Sequence, residues 1–324
     1  MRADAVAPAA APATVEIRPV APVVDSERED VAVFARWLIR VMDAQGGWTK
    51  PLGDLVHRFL NWCFGRLPWL RDLLIGRWLG HPLHAVLTDV PIGILFLVIV
   101  FDVLGASSAA AWALGVGLLA MVGAALAGFA DYADTDGKAR ERATLHSTLM
   151  VVALAGYSLS LLLRFPVDAS EPASAAAIGI SIVSFLILSA GAYVGGDVVY
   201  VLGNMVSRHA FRGAGTKWMA LEPAEVVDGA IPEGKPVKAK LGINQLVLVR
   251  QGKTILALHD TCAHAGGPLS EGTIVGATIQ CPWHASRYEL ANGHLVSGPS
   301  VYDQPAYEVR AKDGGGWEAR RKVG

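Results

Sequence analysis

Between positions 84 and 202 long apolar stretches alternate with short polar ones. The rhythm predicts four membrane-spanning helices, at 84–104, 109–130, 145–163 and 173–202, each long enough for a hydrocarbon core of about 30 Å. The second and fourth stretches hold charge-free runs of more than twenty residues, whereas the first carries Asp89 and Asp102. Residues 31–80 have another texture. Apolar positions recur there at helical spacing, and Trp37, Trp48, Trp62, Trp69 and Trp78 are interleaved with seven Lys and Arg residues. That mixture predicts amphipathic helices, either lying in the headgroup layer or packed on the membrane helices. Beyond about 216 the period falls to two: QLVLVR, KTILALH, TIVGATIQC and AYEVRA are short strand-like runs separated by Gly, Asn, Asp and Pro. The expected fold is a four-helix membrane bundle followed by an all-β domain of small antiparallel sheets.

The segment 1–30 is rich in Ala, Pro and Val, is broken by charges and has no signal-peptide core, so it reads as a disordered cytoplasmic tail. Lys and Arg are distributed unevenly across the connections. Thirteen fall in the flanking segments 31–80, 133–143 and 208–217, against Arg164 alone on the opposite side. This bias predicts that both termini and the β domain lie in the cytoplasm of a bacterial cell, with the spans in its inner membrane. Gly191 and Gly195, with the small residues of the second span, predict close helix packing within one chain or in a homo-oligomer. Residues 212–216 read as a linker.

Composition agrees with a membrane protein. Hydrophobic residues make up 52% of the 324 positions and charged ones 18%, and the mean hydropathy is +0.39. A net charge of −1 argues against a nucleic-acid partner, and three cysteines are too few for a disulfide scaffold.

The β region carries the sharpest chemistry. Cys262-Ala-His264 is followed, after sixteen residues, by Cys281-Pro-Trp-His284. One thiolate and one imidazole on each of two loops is the donor set of a mixed-ligand [2Fe–2S] centre, in which two Cys hold one iron and two His the other. Tetrahedral zinc also accepts two Cys and two His, but its usual spacing pairs Cys with Cys and His with His. Glycines and prolines around both pairs let the loop tips approach, and Trp283 is placed to cover the centre.

The segments CAHAGGPLSEGT, CPWHASRYEL and SGPS resemble the Rieske iron–sulfur domain over residues 217–322. The resemblance implies Cys262 and Cys281 on the inner iron, His264 and His284 on the outer one, and Gly298-Pro299 in a covering loop. Ala285 stands where many members have Gly. Ser286 and Tyr288 match two residues that, in the Rieske domains of cytochrome bc complexes, donate hydrogen bonds to cluster sulfurs and raise the potential. The inter-loop disulfide of those complexes has no counterpart here, which suits a reducing compartment. The loops are thus of ferredoxin type and the donors of bc type. The resemblance implies electron transfer. It excludes an oxygenase catalytic subunit, since only forty residues and one further histidine follow His284.

Residues 81–211 resemble, more distantly, a bacterial family of four-span membrane domains of uncharacterised function, through HPLHAVLTDVPIG, GFADYADTDGKARERATLHSTLM and LSAGAYVGGDVVYVLG. His84, Asp89 and His146 fall toward the end of the spans that adjoins the β domain. Three readings compete for them: axial ligation of a haem b by His84 and His146, a quinone pocket in which Asp89 handles protons, and polar residues that cap helices. The expected function is a membrane-anchored electron carrier serving a redox protein or quinone. A quinone oxidoreductase and a redox sensor on a membrane platform are the alternatives.

Overall fold

The computed structural model describes residues 26–165, 172–210, 216–222, 231–312 and 316–322. Most of the tail expected over 1–30 and of the linker at 212–216 lies outside them. The first described helix is α1 (Ser26–Asp43). This helix forms a unit by itself, with Phe34 stacked on Trp37 at 5.8 Å between ring centres.

The second unit begins at Gln45. Helix α2 (Gly46–Arg66) and the short α3 (Pro68–Leu74) precede the membrane bundle. Helix α2 has a packed face and an exposed one. One face packs on the bundle: Tyr132 donates to the Gly53 carbonyl at 3.3 Å, Asn61 donates to the Ala133 carbonyl at 3.1 Å, and Arg140 pairs with Asp54 at 2.8 Å. A Cβ on Gly53 would lie 2.6 Å from the Thr144 hydroxyl, so only glycine allows this approach. Phe59 and Trp62 of α2, Trp69 of α3 and the following Trp78 remain exposed, as headgroup-facing residues would.

Among the described residues four helices are long and apolar enough to cross a membrane: Leu83–Val103, Ser107–Tyr132, Gly137–Leu162 and Ala175–Val201. The first is broken into α4 (Leu83–Leu87) and α5 (Asp89–Val103). Pro91, third in α5, has no N–H to return to the preceding turn, which accounts for the break just before Asp89. Helices α6 (Ser107–Tyr132) and α7 (Gly137–Leu162) follow, then α8 (Ala175–Gly196), which continues as a π-helical turn over Asp197–Val201. Helix α7 starts eight residues earlier than expected. Its first two turns are charged, and hydropathy alone hides them. They are held by Arg140 on Asp54 and by the buried pair Arg142–Asp197 at 3.1 Å. Leu95, Val98, Leu114, Met121, Ala153, Tyr157 and Leu188 fill the bundle's centre, while residues such as Trp112 and Leu119 point outward, three-quarters exposed. An outer surface that apolar is solvated by lipid.

Arg164 is not a free loop charge. It makes a bidentate pair with Asp102, 2.7 Å on each arm, with both side chains almost fully buried and Ser160 and Ser181 alongside.

Among the described residues ten strands form the β domain. A six-stranded antiparallel sheet runs in the order β1 (Met219–Ala220), β10 (Trp317–Arg321), β9 (Ala306–Ala311), β4 (Thr254–His259), β3 (Asn244–Gln251) and β2 (Pro236–Leu241). A second sheet takes β5 (Thr273–Val275), β6 (Thr278–Gln280), β7 (Arg287–Glu289) and β8 (Leu295–Ser297) in chain order. Strand β3 is apolar on both faces. Leu246 and Leu248 pack with Leu241 and Tyr307, and Val247 and Val249 pack with Leu269 and with Ile279 and Tyr288 of the other sheet. The two sheets are thereby fixed so that the ends of β4 and β6 lie together.

Candidate metal centre

Cys262 follows β4 and Cys281 follows β6. The two loops that leave these strands are built alike. In the first, the Cys262 N–H donates to the Gly267 carbonyl (2.8 Å) and the Gly266 N–H to the Cys262 carbonyl (3.0 Å). In the second, Cys281 donates to Ser286 (2.8 Å) and Ala285 to Cys281 (3.2 Å). The fifth residue of each loop is left-handed: Gly266 at φ +89° and Ala285 at φ +61°. The turn therefore asks for glycine, and Ala285 is the departure noted in the sequence.

Both cysteines are buried and unoxidised. The Cys262 thiol is hydrogen-bonded to Cys281, which brings Cys281 down to about 7 and pushes Cys262 up, so one thiolate forms readily. The His264 and His284 rings stand edge to face with centres 5.0 Å apart. Burial, then the neighbouring His284, lowers His264 to about 3, keeping its imidazole neutral as ligation requires. His284 Nδ1 is buried without a hydrogen-bond partner in the protein. A Cβ on Gly267 would come within 2.9 Å of both the Cys281 sulfur and the Trp283 ring, so the loops close only over glycine. Among the described residues no three His, Cys, Asp or Glu side chains converge as a single metal ion would require. Two thiols on one side, two imidazoles on the other and an orphaned ring nitrogen fit a binuclear centre instead.

The surroundings match the sequence reading in part. The Tyr288 hydroxyl lies 3.2 Å from the Cys262 sulfur. Ser286 is fully buried; its hydroxyl accepts from the Ser300 N–H at 3.2 Å and is also hydrogen-bonded to the Tyr288 side chain. A Cβ on Gly298, at φ +97°, would meet Ser286 Cα at 2.5 Å, so the Gly298-Pro299 loop lies directly on the second ligand loop. Trp283 lies over Gly267 but is 57% exposed, so it covers the loop rather than sealing the centre from water.

Two supports gave no signal in the sequence. Gln304, buried, accepts from the Ala263 N–H at 2.9 Å and donates to the His259 and Thr261 carbonyls at 2.5 and 2.8 Å, tying the first loop to the sheet. The other is the membrane unit itself. His284 Nε2 lies 3.8 Å from Asp136, in the turn between α6 and α7. Tyr302 donates to the Met205 carbonyl at 2.9 Å, and His209 packs edge-on to His259 at 4.5 Å. Asp134, ion-paired with Arg71, is raised by burial although Arg71 opposes the shift. His264 lines a cavity of about 150 Å³ whose other walls include Asp134, Asp136, Leu202, Met205 and Arg208. Spacing within a motif says nothing about what the motif faces.

In the membrane bundle His84 and His146 come together, with ring centres 6.2 Å apart. Asp89 does not join them. It sits exposed in the first turn of α5 and, among the described residues, makes no hydrogen bond or ion pair.

Residues 217–308 match the Rieske [2Fe-2S] domain, and residues 80–208 match the family described as predicted membrane protein (DUF2231). Ferredoxin CarAc of Metapseudomonas resinovorans is 35% identical over 75 residues, 23% of this chain and 70% of that protein. The ferredoxin component of the naphthalene 1,2-dioxygenase/salicylate 5-hydroxylase systems of Ralstonia sp is 29% identical over 83 residues, 26% of this chain and 80% of that protein. Among solved structures, the ferredoxin of carbazole 1,9a-dioxygenase from Nocardioides aromaticivorans IC177 is 26% identical, covers 28% of this chain and 89% of that one, and has a TM-score of 0.27. With the two paired Cys–His loops and four membrane helices now described, the chain belongs to the Rieske [2Fe–2S] proteins and carries its Rieske domain on a multi-pass membrane domain.

Proposed function

We propose that this chain is a membrane-anchored one-electron carrier whose Rieske domain works on the cytoplasmic face of a bacterial inner membrane. Cys262 and Cys281 would hold the inner iron, and His264 and His284 the outer. When bound, the [2Fe–2S] group supplies reversible storage of one electron. The chain's own residues do the rest. The buried thiols and the Tyr288 hydroxyl fix the inner side, Gln304 and the Gly298 loop lock the two ligand loops, and the imidazoles present the edge nearest the surface. Relatives that are ferredoxin components of dioxygenase systems support a protein donor and a protein acceptor. The bias of Lys and Arg toward one side of the bundle and the lack of further cysteines in the ligand loops for an inter-loop disulfide support the cytoplasmic side.

The observation that carries the reading is the packing of four matched donors on two loops of like construction. Purified full-length protein should contain two irons per chain, show a Rieske-type electron paramagnetic resonance signal on reduction and take up one electron. Cys281→Ser should abolish the signal and His284→Cys should change its shape. Zinc in place of iron in freshly purified protein would overturn the reading. A reporter fused to the C-terminus settles the side: fluorescent protein should be active there and alkaline phosphatase inactive.

A second reading is favoured by the cavity beside His264, walled partly by Leu202 and Met205 of the membrane unit. Such a chamber suits a quinol headgroup, which would make the chain a quinone oxidoreductase. Quinol-dependent reduction of an artificial acceptor separates the two, because a carrier has no such turnover.

A further inference from the structure

The membrane bundle holds a second histidine pair that the Rieske domain does not use, and the two halves of the bundle build it in the same way. His84, on α4, places Nδ1 2.8 Å from the Ala124 carbonyl of α6. His146, on α7, places Nδ1 2.8 Å from the Gly191 carbonyl of α8. Four residues beyond each carbonyl stands a glycine against the ring: a Cβ on Gly128 would come within 2.9 Å of His84, and one on Gly195 within 2.9 Å of His146. The first hairpin of spans thus repeats in the second, down to the residue that makes room for each imidazole.

A carbonyl oxygen can only accept, so each Nδ1 carries the proton and each Nε2 presents a lone pair. The Nδ1 contacts are the only hydrogen bonds either ring makes among the described residues. Neither Nε2 is among the buried polar atoms that lack a partner, so both lone pairs are accessible and open to a ligand. A ring nitrogen tied to a backbone carbonyl, with the other nitrogen bare, is the usual arrangement of a metal-bound histidine. The spacing fits as well. Two metal–nitrogen bonds of about 2.0–2.1 Å in line put the ring centres about 6.3 Å apart, against 6.2 Å observed. No third His, Cys, Asp or Glu completes the set among the described residues, so a metal here must bring its remaining ligands with it.

We propose that His84 and His146 hold one transition-metal centre between their Nε2 atoms, entering either as the iron of a porphyrin or as a bare ion completed by small ligands. The site is independent of the Rieske assignment, and each can fail alone.

The test uses the full chain in mild detergent, prepared from cells supplied with haem precursor and, in parallel, titrated with hemin and with copper, iron and zinc salts. One metal atom per chain is expected beyond the two irons of the cluster. Sharp α and β bands in the reduced-minus-oxidised spectrum identify the porphyrin source; an added atom without bands identifies the bare ion. His84→Gln and His146→Gln should each lower occupancy at least tenfold while the cluster's resonance signal persists. Gly128→Ala, which leaves both ligands in place but pushes on the His84 ring, should weaken binding and serves if the glutamine variants fold poorly. Two irons and no further metal after every titration would overturn the proposal, as would an added metal that survives the double glutamine variant. Loss of the cluster signal in the wild-type protein would instead count against the Rieske assignment.

Discussion

The Nε2 atom of His284 lies 3.8 Å from the carboxylate of Asp136, so the edge of the Rieske domain that carries its two imidazoles is turned toward its own membrane domain. Asp136 is mostly exposed, and pairs of this kind contribute little, about 0–1 kcal/mol. The Tyr302 hydroxyl on the Met205 carbonyl is the better-ordered tie. Asp136→Asn should therefore change protection of the Ala263 and Ala265 amides by less than about fivefold, whereas Asp136→Asn with Tyr302→Phe should exceed that. Hydrogen exchange of the full-length protein reads both, and equal protection in the wild type and the double variant would show that these ties do not hold the domains together.

Hydrogen-bond donors around the cysteines would raise the potential of a bound cluster. Tyr288 contacts the Cys262 sulfur at 3.2 Å, and buried Ser286 is hydrogen-bonded to the Tyr288 side chain. A hydrogen bond that favours the reduced state by about 1.4 kcal/mol corresponds to about 60 mV for one electron. Tyr288→Phe should lower the midpoint by about that much and Ser286→Ala should lower it further, as read by redox titration of the resonance signal. An unchanged midpoint in the double variant rules out tuning by these hydroxyls.

Much of this architecture is legible in the chain because it depends on local pattern. Four long apolar runs can only be spans, and TIVGATIQ, with Gly at its centre, folds as the β5–β6 hairpin. The donor set is legible because Cys and His are scarce. What escapes is whatever depends on partners distant in sequence. Gln304 looks like any polar strand-edge residue until it is seen holding the first ligand loop. The charged opening of α7 disappears from a hydropathy reading because its stability comes from Asp54 and Asp197. Asp89, an ionisable residue in an apolar stretch, invites a functional role, yet the helix break at Thr88 places it outside the bundle's polar contacts.

Ala285 occupies the left-handed position that Gly266 takes in the companion loop. A β-carbon there costs about 1–2 kcal/mol, partly offset by the greater freedom of glycine in the unfolded chain. Ala285→Gly should stabilise the Rieske domain by about 0.5–1 kcal/mol, measured as a higher urea midpoint with an unchanged slope. The opposite sign would mean that the Ala285 methyl packs well enough to outweigh its backbone strain.

Removing the metal exposes a pH dependence. In the folded chain burial lowers His264 to about 3, whereas an unfolded imidazole titrates near 6.5. Between those values the unfolded state binds the extra proton, so stability is complete above about pH 6.5 and declines as pH falls toward 3. Iron-depleted protein should lose up to about 1.4 kcal/mol per pH unit below 6.5. His264→Gln should flatten that slope, and so should the intact centre, because a metal-bound nitrogen cannot take the proton. Urea midpoints between pH 5 and 7.5 measure all three. A slope unaffected by His264→Gln would assign the titration to another group.

Arg164 and Asp102 are the most deeply buried ion pair in the described bundle, joined by two 2.7 Å hydrogen bonds and flanked by Ser160 and Ser181. The pair closes the end of the bundle away from the Rieske domain. Its charges compensate each other, so the net contribution is small, but either charge alone would be stranded. Asp102→Asn or Arg164→Met should each destabilise the membrane domain by about 3–5 kcal/mol, whereas Asp102→Leu with Arg164→Met should restore most of the loss. Thermal unfolding in detergent measures this, with the cluster's resonance signal as an internal control because the pair lies at the far end of the spans. If the double apolar variant is as unstable as the single ones, the pair fixes the geometry of α5 against α7 through its directional hydrogen bonds, and mutual neutralisation is not its main role.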